Sequence, residues 1–444
     1  MTSFPQTVKD TLFHIIDEMA ADPRPFVRNP GTDFTRDRKL SFSDTINFIL
    51  SMEGRTLDQE LLDFFLCNTL ETPSASAFVQ QRSKLLTDAF QHLFSRFTQA
   101  FQPQVPPDGF RILAADGMDT LFFCDASDKE NHIDNSSLKG YNLMHVTSLY
   151  DLGGRVYSDA VIQYSSEKDE FQAFCTMVDR YPCHLAPYTI FLADRGFASF
   201  NVFAHVIEKG AFFLIRTKDV DSNGTASSLS LPSSGEFDRT IPITLVRRQT
   251  RHFKELPGAR FIRKDCAFDF LEYGSDQTYT TTLRFVRLAL PDGSYECLVT
   301  NLPPDRFPPE ELFRLYGQRW GVETSFRELK YSVGLVNFHC RKPQFVIQEI
   351  WARLTLYNFC EIITTHTVEL MANDQRPGKK KHAYQVNFSM AIHLCHCFLR
   401  ILPHRDSLNV EGLIQRYMLP VRPERKFERH VRSCRAVSFL YRVG

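Results

Sequence analysis

The order of apolar segments between residues 110 and 216 constrains the fold more than any other feature of this chain. Three consecutive segments have the patterning of strands: RILAADG (111–117), NLMHVTSLYDL (142–152) and VYSDAVIQY (156–164). Helix-like and strand-like segments then alternate: 168–181, TIFLAD (189–194), 199–209 and FFLIR (212–216). Three strands followed by alternating helices and strands predict an α/β domain built on a mixed sheet.

Two of the predicted strands end in an aspartate, Asp116 in AADG and Asp194 in LADRG. Open α/β sheets bind ligands outside the carboxyl ends of their strands, so we expect both carboxylates to face one crevice. An aspartate before glycine is most often an ordinary turn residue, and neither position is diagnostic alone. Asp119 and Asp151 are close in sequence, but neither directly ends a predicted buried strand, and we do not select them.

The segment LYGQRWGVETSFRELKYSVGL (315–335) carries mixed charges along one side of a predicted helix. Spacings of three, four and seven residues place four side chains in one narrow stripe: Tyr316, Arg319, Glu323 and Lys330. An apolar stripe borders it, made of Leu315, Val322, Phe326, Leu329 and Val333. A carboxylate that binds a metal, among cations that bind phosphates, would explain the mixture. Glu328 projects away from Glu323 on this helix, and we expect it to face solvent.

Three acids are therefore the candidate catalytic and metal-binding residues: Asp116, Asp194 and Glu323. A ligand set of carboxylates without histidine or cysteine suits Mg²⁺, with Mn²⁺ as a substitute. Two such ions clamp the attacking and leaving oxygens in phosphoryl transfer. Each acid has an ordinary structural explanation by itself, and only the combination points to a site.

Composition and patterning divide the 444 residues into five segments. We predict a helical N-terminal DNA-binding region, the first part of a catalytic core, a β-rich insertion, a helix completing the core, and a helical C-terminal region with a basic tail. Their bounds are 1–105, 106–216, 217–305, 306–345 and 346–444. The N-terminal helices are equally compatible with a helical subdomain that binds no ligand.

Charge and cysteine content exclude few functions. The net charge is zero and basic residues cluster locally, for example at Lys379–Lys381, which is usually solvated surface. Eleven scattered cysteines and a polar N-terminus are typical of reduced thiols in a cytoplasmic protein. The cluster around His393 and Cys397 fits helix packing better than zinc ligation. No apolar run approaches the length of a membrane span.

At this point the sequence resembles a known family, the insertion-sequence DDE transposases of the insertion-sequence-four group. The pattern Tyr-x2-Arg-x3-Glu-x6-Lys from Tyr316 to Lys330 is similar to the YREK signature of that family. Asp116-Gly117 resembles its first acidic motif, and the DRGF segment that begins at Asp194 resembles its second. LYDL (149–152), FLIR (213–216) and LVTNL (298–302) match as well, so the resemblance extends over roughly residues 30–440.

The resemblance implies a ribonuclease-H-like mixed-sheet catalytic core, interrupted by the β-rich insertion, that binds two Mg²⁺ ions. It implies cut-and-paste transposition: cleavage at transposon ends, then strand transfer into target DNA. The partners would be double-stranded DNA, with terminal inverted repeats and target, and a second copy of the chain in a homodimeric DNA complex associated with the nucleoid. Phosphates of the terminal nucleotides would be held by Tyr316, Arg319 and Lys330.

Two alternatives remain beside an active transposase. One is a metal-dependent DNA nuclease without strand transfer, and the other is an inactive DNA-binding relic. Members of the family that form a hairpin intermediate use a tryptophan of the insertion to stack a flipped base. The chain has only Trp320 and Trp351, both outside the insertion. Tyr295 or Phe285 could substitute, because any aromatic face can stack a base, and Tyr295 is the DNA-binding candidate of the insertion.

Overall fold

The structure is a computed structural model. It describes residues 3–36, 38–66, 72–102, 109–134, 140–227, 229–251, 253, 258–373, 384–400 and 408–421. The lysine run at 379–381 and the basic tail beyond residue 421 lie outside these ranges.

A mixed sheet forms the centre of the fold, as the order of segments predicts. Strand β1 (Arg111–Phe122) pairs antiparallel with β3 (Tyr141–Asp151), which pairs antiparallel with β4 (Val156–Tyr164) and with the short β2 (His132–Ile133). On its other side β1 pairs parallel with β5 (Thr189–Ala193), and β5 pairs parallel with β6 (Phe212–Thr217). Helices α6 (Glu170–Arg180) and α7 (Phe200–Glu208) make the crossovers to β5 and β6. This strand order confirms the ribonuclease-H-like α/β core.

The β-rich insertion extends the same sheet. Its strands are β7 (Phe237–Val246), β8 (Ala259–Phe261), β9 (Thr278–Ala289) and β10 (Tyr295–Thr300). Strand β10 pairs antiparallel with β6, so the sheet reaches ten strands, in the order β2-β3-β1-β5-β6-β10-β9-β7-β8 with β4 on β3. The PDGS segment joins β9 to β10, with Gly293 at a φ of 83° that favours glycine.

Helices cover both faces of the sheet. The N-terminal helices are α1 (Phe4–Ala21), α2 (Phe42–Ser51), α3 (Leu57–Phe64), α4 (Ala75–Arg82) and α5 (Thr87–Ala100). After the insertion come α8 (Pro309–Gly317), α9 (Trp320–Tyr331), α10 (Pro343–Asn373), α11 (Phe388–Arg400) and α12 (Val410–Arg416). A two-stranded pair, β11 (Tyr384–Gln385) and β12 (Leu419–Pro420), lies near the end of the described chain. No helix in the described ranges is long and apolar enough to cross a membrane.

Two apolar layers result. The first layer joins one face of the sheet to the N-terminal helices and to α8 through α12 in one continuous core. It includes a buried ion pair, in which Arg82 of α4 donates to Glu349 of α10 at 2.8 Å. The second layer packs α6, α7 and residues of the insertion on the opposite face. Helix α9, which carries Glu323, thus belongs to the first layer, and α6 belongs to the second.

Two local predictions need correction. Strand β1 does not end at Asp116, because its pairing with β3 continues to Phe122 opposite Asn142. The predicted continuous helix through Lys330 is divided into α8 and α9. Between them Arg319 N–H and Val322 N–H make short-range bonds three residues back, as in a 3₁₀ turn. Gly317 and Gly321 flank this turn and weaken a regular helix.

Candidate active site

The parallel pairing of β1 with β5 brings the two predicted aspartates together. That pairing ends at Ala115 opposite Ala193, so the next residues, Asp116 and Asp194, emerge side by side. Asp116 is still part of β1, because the pairing of β1 with β3 continues beyond it after the pairing with β5 has ended. Its Oδ1 accepts a hydrogen bond from the Gly117 N–H at 2.8 Å. The expected crevice is therefore at the end of β5, beside the middle of β1.

Helices α8 and α9 carry the third acid to the same place. Arg319 Nη2 donates to Glu323 Oε1 at 2.9 Å, and its Nη1 lies 3.5 Å from Asp116 Oδ2. The Tyr316 hydroxyl donates to Asp194 Oδ1 at 3.3 Å. A guanidinium thus lies between two of the acids and a phenol contacts the third.

Close approach of α9 to the sheet makes this arrangement possible. A Cβ added at Gly321 would lie 2.7 Å from Leu152 Cδ2, which is closer than side chains tolerate. The Ser325 hydroxyl, four residues further along, lies 2.9 Å from the hydroxyl of buried Tyr157 on β4. Gly321 and Ser325 are thus two points at which α9 lies close to Leu152 and to β4.

Negative charge is crowded at the site. The pKa of Asp116 is raised to about 6, and burial is the largest cause. The Gly117 N–H and Arg319 lower this pKa, whereas the charges of Glu323 and Asp194 raise it. Burial also raises the pKa of Glu296, which pairs with Arg216 at 3.2 Å. The pKa of Tyr316 is raised well above its usual value, chiefly by burial. A cation at this position would relieve the repulsion among the carboxylates.

The donor set fits Mg²⁺ or Mn²⁺ in chemistry, since all three acids offer carboxylate oxygens. Within the described ranges, no three Asp, Glu, His or Cys side chains are arranged to hold a metal ion. Arg319 occupies the space between Asp116 and Glu323, and its Nε and Nη1 have no hydrogen-bond partner there. In this structure the guanidinium therefore bridges the carboxylates of Asp116 and Glu323.

The remaining predicted residues lie at different distances from this centre. Lys330 is half-buried on the last turn of α9, two helical turns from Glu323. Tyr295 begins β10 and is 36% exposed, with the Arg287 guanidinium 4.0 Å from its ring centroid, so one ring face is covered. Phe285 is fully buried on β9, and the alternative that it stacks a base is wrong.

Two residues near the site were misjudged or missed. Trp320 directly follows Arg319 and is 59% exposed, with the guanidinium 5.4 Å from its ring. Its position after the arginine was visible in the sequence. Glu328 does not face solvent: Tyr357 of α10 donates to it at 3.1 Å, and burial raises its pKa. A helical wheel gives the direction of a side chain but not the helix that covers it.

Comparisons with known proteins identify similar sequences and structures. The family model described as "Transposase DDE domain" matches residues 109–359. The Escherichia coli (strain K12) protein "Transposase InsG for insertion sequence element IS4" is 26% identical over 133 residues, which are 29% of this chain and 29% of that protein. The match therefore spans under a third of the relative's length. Among solved structures, a piggyBac transposase synaptic complex with hairpin DNA has a TM-score of 0.45 at 11% identity, covering 95% of this chain and 87% of that one.

Proposed function

The chain belongs to the transposase DDE-domain family, whose model covers more than half of it, and on this premise we propose that it is a metal-dependent DNA transposase. It would cleave double-stranded DNA at the terminal inverted repeats of a mobile element and join the freed ends to target DNA by a cut-and-paste route. The observation that carries this proposal is the meeting of Asp116, Asp194 and Glu323 beside a phenol and a guanidinium.

In the proposed mechanism, two Mg²⁺ ions, or Mn²⁺ in their place, would be held by Asp116, Asp194 and Glu323. Bound there, the ions would activate the attacking oxygen and neutralise charge at the phosphoryl group. Burial is the main cause of the raised pKa of Asp116, and the charges of Glu323 and Asp194 add to it, which supports a site that favours cations. The protein's own part is to position the phosphate, whose oxygens would accept hydrogen bonds from Tyr316, Arg319 and Lys330.

Two successive phosphoryl transfers would use this one site. In cleavage, water attacks a phosphorus at the transposon end, a P–O3′ bond breaks, and a 3′-hydroxyl is released. In strand transfer, that hydroxyl oxygen attacks a target phosphorus and loses its proton, while the target P–O3′ bond breaks and its oxygen is protonated. A homodimer would hold both transposon ends during these steps.

Replacing Glu323 with Gln tests the proposal. This isosteric change should lower Mg²⁺-dependent nicking of the element's ends by roughly a thousandfold or more. Such a loss is typical when catalytic residues act together, because removing one of them costs nearly as much as removing all. Binding of end DNA, measured by gel shift, should persist. Glu310→Gln is the matched control, because Glu310 is exposed in the first turn of α8, and it should nick normally.

The readouts separate the alternatives. Undiminished nicking by Glu323→Gln would refute the assignment of the three acids. Nicking by the wild-type protein without any joined product, from pre-cleaved ends and plasmid target, would indicate a nuclease. End binding without nicking in either Mg²⁺ or Mn²⁺ would indicate an inactive relic.

A further inference from the structure

A groove with basic walls opens beside Asp194, and we name it the DRG groove. Its cavity has a volume of about 520 Å³, and its walls include Phe171, Arg195, Gly196, Lys218, Asn223 and Thr225. A second cavity of about 340 Å³ shares Arg195 and Lys218 with it and continues toward Tyr295. Both volumes are within the range of clefts that enclose small polar ligands or parts of a polymer.

The groove has uncompensated positive charge. Arg195 and Lys218 are exposed, and neither side chain has a hydrogen-bond or ion-pair partner in the part of the chain that the structure describes. Asp219, the acid next to Lys218, is already paired with Arg287 at 2.7 Å. The carboxylate that remains at the groove is Asp194, one of the three proposed catalytic acids. Such a surface fits a chain of phosphates that leads to the reacting centre.

The groove is also preformed. The Thr217 and Thr225 hydroxyls lie 2.7 Å apart and tie the loop to β6. Arg260 of β8 donates to the Gly224 carbonyl at 2.8 Å and to the Ser227 carbonyl. These contacts fix the loop that forms one wall, so little ordering would be needed when a ligand binds.

The groove and the catalytic helix lie on opposite faces of the sheet. Phe171, 41% exposed, belongs to α6, whose inner side packs in the second apolar layer. The α9 helix packs in the first layer, through residues such as Val322 and Leu329. Asp194 lies where the two faces meet, at the end of β5. A DNA strand held by Tyr316 and Lys330 would therefore approach from one face, and a second strand could approach from the other.

We propose that the DRG groove binds the sugar–phosphate backbone of target DNA, with Arg195 and Lys218 contacting its phosphates and Phe171 contacting a sugar or base. The inference rests on the proposed transposase function, because only strand transfer needs a second DNA molecule at the same acids. It assigns target capture to residues separate from those on α8 and α9.

The test separates target capture from cleavage. Full-length protein carrying Arg195→Ala and Lys218→Ala together is assayed for nicking of end DNA and, with pre-cleaved ends, for joining into supercoiled plasmid. Each lost phosphate contact should weaken target binding about fivefold at 0.15 M salt, since binding scales with salt to a power of about −0.9 per contact. Target half-saturation should therefore rise roughly 25-fold, while end binding and nicking stay within about twofold of wild type.

Two further variants complete the design. Lys209→Ala removes a cation that precedes β6, at the other end of this strand from Lys218, and should leave joining unchanged; Lys209 Nζ donates to the Asp179 carbonyl at 2.5 Å. Arg195→Lys with Lys218→Arg keeps both charges and should restore most of the joining. If the double alanine variant joins target normally, the groove does not bind target DNA. If nicking and joining fall together, the groove binds the transposon end, which also overturns the inference but leaves the transposase function intact.

Discussion

The charge of Asp116 should destabilise the metal-free protein, and Asp116→Asn should therefore stabilise it at neutral pH. Burial and the neighbouring acids raise the pKa of this carboxyl from 3.8 to about 6. A rise of about two units corresponds to about 3 kcal/mol between the two protonation states. The side chain is only 22% exposed, so solvent screening reduces this figure little. For a chain of this length, about 3 kcal/mol corresponds to a Tm increase of roughly 3 °C.

The direction of the pKa shift of Asp116 determines the pH range in which stability changes. A carboxyl whose pKa is raised by folding is favoured in its protonated form, so its contribution to stability is present below pH 4 and is lost as pH rises through about 6. The variant cannot ionise at this position and does not lose that contribution. The stability difference between Asp116→Asn and wild type should be near zero at pH 4, grow up to pH 6, and stay constant above pH 7.

Thermal unfolding in EDTA at several pH values measures this difference. Asp151→Asn is the matched control, because Asp151 is buried in the adjacent strand but has its charge compensated. Its Oδ2 accepts from Arg111 at 2.5 Å, and its Oδ1 accepts from the N–H groups of Gly153 and Gly154. That substitution leaves Arg111 without its counter-ion and should cost about 3–5 kcal/mol.

At pH 8 we expect the two variants to change stability in opposite directions: Asp116→Asn should raise it and Asp151→Asn should lower it. Adding Mg²⁺ should then raise the Tm of wild type and have a smaller effect on Asp116→Asn, because an ion that binds only the folded state stabilises it by mass action. If Asp116→Asn loses stability at pH 8 as Asp151→Asn does, the reasoning about crowded acids is refuted.

Two further predictions concern DNA. Lys330→Ala should weaken end binding and lower the slope of log affinity against log salt by about 0.9, which is the effect of one phosphate contact. Fluorescence anisotropy between about 50 and 200 mM salt measures this slope. An unchanged slope would argue against such a contact. Tyr295→Ala should impair hairpin formation more than first-strand nicking, as resolved on denaturing gels, because the side chain is 36% exposed and an exposed aromatic ring can stack a base. Trp320→Ala is the comparison, since Trp320 is the more exposed aromatic beside the acids, and a hairpin defect in that variant alone would contradict stacking by Tyr295.

Local patterns in the sequence were sufficient to predict the class of the fold and to select candidate acids that the fold places near one another. The alternation of strand-like and helix-like segments predicted the mixed sheet, because periodicity depends on near neighbours in the chain. The spacing from Tyr316 to Glu323 likewise placed the phenol, the guanidinium and the carboxylate on adjacent turns. The predicted strand ends alone indicated that Asp116 and Asp194 could share a crevice, and the resemblance to a family was needed only to interpret that crevice.

Contacts between distant segments decided the rest. Asp116 lies within β1, and not at its end, because β3 is longer than β5, which no pattern around Asp116 reveals. Arg319 lies between Asp116 and Glu323 because α9 packs in the core layer that covers one face of the sheet, a contact between segments far apart in the chain. The sequence by itself determined which residues could meet. Tertiary packing determined their burial, their partners and hence their charges, because these depend on what covers a side chain and not on its spacing.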